Sequence, residues 1–382
     1  MPTSTDILFA LTGDVRRNSR ALKQLRVFGA MGLHTTVLTL GDGPTPPNLP
    51  NAHLIPVALP PARGPRHFWN VHQRFAQMAE QMAARVYHAS DLYVLPALHR
   101  ARQRRQPTAK LVYDARECYP HVASTVGRPW VSAVWKHVER RALRHADAVF
   151  TVSDSIADWM VTTYGIRRPQ LLHNVPAYQS VPRTNALREQ LGLPEGTPVI
   201  LHQGQMRKYR GCTWLVEAMA QVPEAHLVFL GSGPLQPALL ARTERLGLTA
   251  RVHFIPPVPP HALLPVTASA DIGVTLLEDV CQNHRYALPN KLFEYLMAGL
   301  PVVASALPEC RRVVEAHGVG RVVDPVDTDQ LAATFRTMLT DRTAWRHRVN
   351  QHVPTVFETF SWETASQRLT ETYTTLLAGD TL

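Results

Sequence analysis

The chain predicts an α/β protein of two Rossmann-like domains, each built on a parallel sheet. Three observations carry this prediction. Short apolar runs alternate with amphipathic helical stretches, the pattern of strands joined by crossover helices. The alternation runs twice, and a proline-rich connection over residues 176–198 separates the two series. The length is 382 residues, 45% of them hydrophobic, which exceeds one ordinary core and suits two or three domains.

In chain order, residues 7–11 read as a first strand ending at Thr12-Gly13, and residues 18–32 as a helix stopped by Gly32. Residues 35–40 form a β-branched second strand and 53–57 a third. Residues 68–85 read as helix, and Val86-Tyr87 leads a strand into His88. Residues 110–113 are strand up to Asp114, 131–145 helix and 148–152 strand. Ser153 is placed as the cap of the next helix, and Leu171-Leu172 as a last short strand. In the second series the strands fall at 199–202, 227–230, 252–255, 272–276 and 301–304. Its helices fall at 213–220, 235–246, 289–298 and 328–339. An amphipathic helix over 362–377 closes the chain, and no short-period repeat is visible.

Composition narrows the class. Charged residues make up 18%, too few for a disordered chain, and 31 prolines against 20 glycines point to fixed turns. Cys118, Cys212, Cys281 and Cys310 form no CxxC pair and adjoin no histidine cluster, so buried thiols in a reducing compartment are the expectation, with no metal. The first ten residues lack a basic region followed by a long apolar run, unlike a secretory signal. The longest apolar stretch, residues 296–307, contains Gly299 and Pro301 and is too short to span a bilayer. A soluble cytoplasmic protein is expected. The net charge of +10 favours acidic partners without choosing among nucleotides, phosphates, lipids or nucleic acid.

Ligands of open α/β sheets bind beyond the carboxyl ends of the strands. Two facing domains would place the site between them, which directs attention to Gly13, His88, Asp91, Asp114, Arg116, Glu117, Ser153, Asn174 and the loops 204–211, 231–234 and 278–294. Walker and GxGxxG loops are absent, an argument against a P-loop enzyme or a dehydrogenase. Gly231-Ser232-Gly233-Pro234 fits either a plain strand-to-helix turn or a close backbone approach to a nucleotide. In the segment from Tyr286 through Leu288, Pro289, Asn290, Lys291 and Glu294, Pro289 suits the first helical position. The amides of Asn290, Lys291 and Leu292 would then form an anion site reinforced by the Lys291 charge. Glu294, one turn on, suits a ribose hydroxyl better than a phosphate. The alternative is an ordinary capped helix before a buried strand. Gly204, Gln205, Arg207, Lys208 and Arg210 follow a strand and open a helix. Their cations can neutralise a diphosphate, with Arg210 best placed to grip two phosphate oxygens; a solvated basic loop is the alternative.

The pairing of HQGQMRKYRG with YALPNKLFEYLMAGLPVVAS, in this order and separation, resembles the retaining glycosyltransferase family 4 of GT-B fold. The stretches GDVRRNSRALKQLRVFGAMGLHTTVL, VYHASDLYVLPAL, KLVYDAREC, ADAVFTVSDSIA, LLHNVP and FSWETASQRLTETYTTLL resemble its other elements in the expected order. The resemblance covers nearly the whole chain. It implies an acceptor-binding N-terminal domain over 1–178 plus 361–382 and a donor-binding domain over 196–358, with the last helix crossing back to the first domain. It implies a nucleotide-diphosphate sugar as donor substrate, no bound cofactor, and a glycan, lipid-linked or small-molecule acceptor. The one DxD, Asp327-Thr328-Asp329, stands where a helix starts and is better explained as an N-cap than as a metal site.

Retaining transfer would proceed by departure of the diphosphate and same-face attack of the acceptor hydroxyl, without an enzyme nucleophile. Arg210 and Lys291 would stabilise the leaving group, Gly13 would give backbone access and Glu294 would hold the ribose. His88, Asp91, Arg116 and Glu117 would orient the sugar or acceptor. Three departures qualify these roles. Tyr286 stands where the family often has a first glutamate. Gln205 and Arg210 stand where it often has Arg and Lys, and Ser90 and Arg116 where it commonly has cleft histidines. Gln205, Ser90 and Arg116 motivate one rival, a non-catalytic nucleotide-binding or scaffolding partner of another transferase; a second is another GT-B activity, such as a sugar-nucleotide epimerase. Arg63 to Trp69 and Trp130 to Arg144 mix aromatics with cations, which fits either peripheral contact with the anionic inner face of a membrane or a solvated face over core aromatics. No nucleic-acid module is visible, and the basic residues are dispersed. The base, sugar, acceptor, linkage and oligomeric state are not encoded in a form that spacing reveals.

Overall fold

The computed structural model describes residues 5–378 apart from Pro47 and Pro50. The chain divides into two compact units, one running to Asn174 and resuming at Glu363, the other spanning Val175–Trp362. The first four and last four residues of the expected N-terminal domain lie outside the described residues.

The first unit contains β1 (Thr5–Ala10), α1 (Ser19–Ala30), β2 (Thr35–Thr39), β3 (Ala52–Pro56), α2 (Pro65–Ala79), β4 (Ala84–Ala89), α3 (Leu95–Arg105), β5 (Lys110–Ala115), α4 (Pro129–Leu143), β6 (Ala148–Thr151), α5 (Asp154–Tyr164) and β7 (Gln170–Leu171). Its seven strands lie in the order β3-β2-β1-β4-β5-β6-β7, every neighbouring pair parallel. The five residues of β2 are all buried, as a parallel strand covered on both faces requires. Asn18 caps α1 by accepting from the Ala21 amide at 3.1 Å, and Gly32, at φ +75°, ends its last turn.

The second unit contains α6 (Ala186–Leu191), β8 (Val199–Gln203), α7 (Cys212–Ala218), β9 (His226–Leu230), α8 (Gln236–Arg245), β10 (Val252–Ile255), α9 (Pro260–Thr267), β11 (Ile272–Thr275), α10 (Gln282–Arg285), α11 (Asn290–Met297), β12 (Val302–Ser305), α12 (Pro308–Val314), β13 (Gly320–Val323), α13 (Thr328–Thr340) and α14 (Arg342–Thr359). Its six strands lie in the order β10-β9-β8-β11-β12-β13, again all parallel. One core packs α11, α12 and α14 against the sheet, with Phe293, Tyr295 and Val349 fully buried. The other packs α7, α8 and α13, with Leu215, Leu239 and Phe335. Asp327 does cap α13, accepting from the Gln330 amide at 2.9 Å.

The final helix, α15 (Trp362–Ala378), returns to the first unit. Tyr373 is buried against Phe28 of α1, ring centroids 4.6 Å apart, and its hydroxyl meets His88 Nδ1 at 2.6 Å. Arg368 donates to the Leu171 carbonyl at 3.1 Å, and Thr372 to Gln170 Oε1 at 2.7 Å.

Several expectations need correction. The helix expected over 68–85 starts at Pro65 and ends at Ala79, because residues 84 and 85 belong to β4, where Ala84 pairs with Thr5 of β1. Ser153 occupies the N-cap position of α5, but its side chain makes no capping hydrogen bond. Helix α3 was not foreseen: Pro96 and a dense run of arginines hide its buried face of Leu95, Leu98 and Ala101. Helices α9 and α14 were also missed, and each carries an internal proline, Pro265 and Pro354, that reads as a breaker.

Candidate functional site

In each sheet the strand order reverses at one point, between β1 and β4 in the first unit and between β8 and β11 in the second. Such a switch point opens a crevice at the carboxyl ends of the strands. In the second unit a cavity of about 530 Å³ lies beside that point, at the carboxyl end of β8. It is lined by residues at the ends of β8 and β9, by the loop after β10, and by Pro289, Asn290, Lys291 and Glu294 at the start of α11.

The loops around this cavity are shaped by backbone constraint. Gly204 has φ +106° and Gly231 φ +148°. A Cβ on Gly231 would stand 2.1 Å from the Gly204 carbonyl oxygen, and one on Gly233 2.2 Å from that of Met206. The turn after β9 therefore lies directly on the loop after β8. This explains both glycines as loop-packing requirements; Gly231 also lines the cavity, whereas Gly233 does not. Farther along, Tyr209 adopts φ +65°, a left-handed conformation rare for an aromatic residue. Gly211 follows at φ +66°, where a Cβ would lie 2.4 Å from Leu276 Cβ. These two residues turn the chain sharply at Arg210, which lines the cavity with Gly204 and Gln205.

Lys291 reaches from α11 to the same loop: a Cβ on Gly204 would be 3.7 Å from its Nζ. Burial, reinforced by the Arg210 charge, pushes the Lys291 ammonium down to about 8, while Cys212 and Glu294 act in the opposite direction. The Arg210 and Lys291 charges thus act on each other at the cavity that both residues line.

Glu294 is fixed by a residue that sequence reasoning passed over. Gln203, the buried last residue of β8, donates from Nε2 to Glu294 Oε2. Its own Oε1 accepts from Thr267 Oγ1 at 2.8 Å, and its amide donates to the Tyr295 hydroxyl at 2.9 Å. The available signal was a polar residue at the end of an apolar strand, beside the glycine that opens the loop.

Other expected site residues lie elsewhere. Pro289 is the N-cap and not the first helical residue of α11, and its carbonyl takes the Leu292 amide at 3.1 Å; that amide is therefore not open to an anion. Leu288 packs against the apolar core. The Tyr286 hydroxyl accepts from Gln282 at 3.1 Å, and Arg207 and Lys208 are exposed; none of these four residues lines the cavity.

In the first unit the loops after β1 and β4 are joined across the switch point. Asp91, fully buried, accepts from the Thr12 amide at 2.7 Å, the Thr12 hydroxyl at 2.9 Å and the amides of Tyr93 and Val94. Arg116 stands 3.7 Å from Asp91, a quarter exposed. Burial opposes its charge, but Tyr119, Asp91 and Asp114 outweigh that and hold the guanidinium firmly protonated. Glu117 is exposed. Gly13 has open space where a side chain would go, and its carbonyl accepts from the Leu40 amide and the Thr39 hydroxyl. Asp114 forms a buried bidentate pair with Arg20, at 2.6 and 2.8 Å.

His88 requires a correction. It is fully buried, stacked on Phe9 with ring centroids 4.6 Å apart, and bonded to Tyr373. Burial lowers its imidazole to about 4, so it is neutral at physiological pH. Its Nδ1 anchors α15, and the ring is closed off from solvent. Among the described residues, no group of three or more His, Cys, Asp or Glu is arranged to hold a metal ion.

Two family profiles match the chain: "Glycosyl transferase 4-like domain" over residues 15–176 and "Glycosyl transferases group 1" over residues 197–341. Together they cover most of both units. The D-inositol 3-phosphate glycosyltransferase of Xylanimonas cellulosilytica is 30% identical over 193 residues, 49% of this chain and 45% of that protein. The chain spans about half the length of the curated relatives it matches. Sucrose-phosphate synthase from Thermosynechococcus elongatus superposes with a TM-score of 0.79 at 21% identity, covering 98% of this chain and all of that one. The Anabaena protein HepE, solved in complex with UDP-glucose, gives 0.74 at 18% identity, covering 97% of this chain and 99% of that one.

Proposed function

The chain belongs to the group 1 glycosyl transferases, the GT4 family of GT-B fold, and from that premise we propose that it moves a sugar from a nucleotide-diphosphate donor to a glycan, lipid-linked or small-molecule acceptor, with retention at the anomeric carbon. The observation that carries the reading is the cavity of the second unit, where Arg210, Lys291, the start of α11 and Glu294 converge. A diphosphate held by Lys291 and Arg210 meets the two cations and a helix amino end, an arrangement that stabilises the charge of a leaving group. Glu294, oriented by Gln203, then holds a ribose hydroxyl as acceptor of its hydrogen bond. The glycosidic bond to the donor breaks towards the diphosphate, and the acceptor oxygen bonds to the anomeric carbon from the same face. The acceptor proton passes to a departing phosphate oxygen, so charge and atoms balance without an enzyme nucleophile. The first unit supplies the acceptor side, with Arg116, Glu117 and the backbone of Gly13 as its candidate contacts. A lipid-linked acceptor would bring the protein to the anionic face of a membrane.

HepE's complex with UDP-glucose makes uridine diphosphate sugars the first donors to test. Thermal shift and slow donor hydrolysis, measured across UDP-, GDP-, ADP- and CDP-sugars, should single out one base, because a ligand that binds only the folded state raises the melting temperature. Arg210→Ala should abolish both signals. Absence of a shift with every donor would overturn the site assignment. The neutral Gln205 in the lining favours a second reading, a nucleotide-binding scaffold; a shift without turnover on any acceptor would select it.

A further inference from the structure

We propose that the first unit carries a docking surface for an anionic lipid bilayer, formed by the amino-terminal halves of α2 and α4. The two helices are pinned together by an aromatic cluster. Phe68 of α2 lies 4.8 Å from Trp135 of α4, and Tyr93 contacts both, at 4.9 and 5.0 Å between ring centroids. The residues beside this cluster face solvent. Trp69, next to Phe68, is 63% exposed; Val134, next to Trp135, is 54% exposed; Trp130, one turn before Val134, is 66% exposed. Val126, just ahead of α4, is 54% exposed as well. Two tryptophans left this open are not explained by the aromatic cluster, whose own members Phe68, Tyr93 and Trp135 are half-buried.

The charges around them select the occupant. Arg63, Arg66 and Arg128 are exposed, and Lys136 is partly so. The sequence contains no Asp or Glu between Asp42 and Glu80, nor between Glu117 and Glu139. Glu139 itself is buried, bonded to Tyr113 and Tyr164 at 2.6 Å each. Along α4 and onto its C-cap Arg144, the exposed positions Trp130, Val134, His137, Arg141 and Arg144 follow a helical stripe, apolar at its start and basic at its end. Amphipathic aromatic rings flanked by cations, with acids excluded, match the interfacial layer of a bilayer bearing anionic headgroups: the rings enter the headgroup level and the cations pair with phosphate. Exposed tryptophans also serve protein interfaces, but a belt free of acids across two helices offers no counter-charge to the cations that a protein partner carries, whereas a bilayer of anionic headgroups presents none.

This surface goes beyond the transferase reading and is tested without turnover, so either can fail alone. The full-length protein is mixed with vesicles rich in phosphatidylglycerol, or with vesicles of phosphatidylcholine alone, and separated by flotation. Binding to the anionic vesicles, loss of binding in high salt, and a blue shift of tryptophan emission are expected. The double variant Trp69→Ser/Trp130→Ser should bind at least about tenfold more weakly, and Arg63→Gln/Arg66→Gln/Arg128→Gln should lose the preference for anionic lipid. Both sets of positions are exposed, and an unchanged melting temperature verifies folding. Wild-type protein that stays with the buffer at low salt overturns the proposal, as does binding undiminished in the tryptophan variant. So does a change from dimer to monomer in that variant without lipid, which would make the patch a contact between copies of this chain.

Discussion

Lys291 concentrates the chemistry proposed for the second unit into one titrating group. With its ammonium lowered to about 8 from the ordinary 10.5, raising the pH through that value removes the proton and with it the charge that faces the diphosphate. Donor affinity should therefore be level below about pH 7 and fall as the pH passes 8, as isothermal titration with a UDP-sugar would show. Lys291→Arg, protonated throughout, should flatten that dependence. Lys291→Met should weaken donor binding about 10- to 100-fold, the range of a lost charge-assisted hydrogen bond. Gly231 matters for a different reason. Gly231→Ala would drive a Cβ to 2.1 Å from a carbonyl oxygen at a φ of +148°. A loss of at least about 2 kcal/mol is expected, read as a fall in melting temperature, together with reduced donor binding as the loop after β8 is pushed aside.

At the scale of elements, α4 is tied to the sheet by a buried carboxyl. Glu139 accepts from Tyr113 of β5 and Tyr164 of α5, yet burial raises it from 4.5 to about 7, the two tyrosines acting against the rise. In the folded protein the group holds its proton over a pH range where the unfolded chain has lost it. The folded state thus binds more protons between pH 4.5 and 7, and stability falls as pH rises through that window. The full effect is on the order of 3 kcal/mol. Glu139→Gln should remove this slope, with the variant less stable than the parent near pH 5, where one tyrosine hydroxyl loses its acceptor, and closer to it or above it near pH 8. Denaturant melts at several pH values would measure both. Legibility at this scale followed packing. The strands showed as apolar runs because parallel strands are buried on both faces. The helices α9 and α14 were hidden, because Pro265 and Pro354 are tolerated where tertiary burial outweighs local preference, whereas Pro96 stands in the first turn of α3, where proline costs little.

At the scale of the whole molecule, the first unit is assembled from two stretches of chain far apart in sequence. Helix α15 fills its core with Tyr373, Leu369 and Ala365, all nearly or fully buried. Ending the chain after Trp362 would leave the ring faces of Phe28 and the His88 nitrogen uncovered. The truncated protein should lose several kcal/mol of stability in the first unit, seen as an earlier unfolding transition, while the second unit, which ends at Trp362, keeps its own melting behaviour. If the protein still melts as the parent does, the role given to α15 is wrong.

What the sequence by itself determined is the class of fold; it also named most of the residues proposed here for the donor site. Alternation of buried strands and amphipathic helices is periodic, and periodicity is local. Glycine, cation and carboxylate spacing around Gly204, Arg210, Lys291 and Glu294 is local as well. What only tertiary structure decided is which of those groups share a space. Gln203 holds Glu294 because β8 and α11 meet, a contact between residues 91 positions apart. His88 turned from a site candidate into a core residue because α15 covers it, 285 positions away. Arg207 and Lys208, three and two positions before Arg210, are exposed and outside the cavity lining, and the left-handed residue Tyr209 stands between them and Arg210. Residue type and spacing specify chemistry that could be assembled; burial and the long-range closure of the chain select which part of it is.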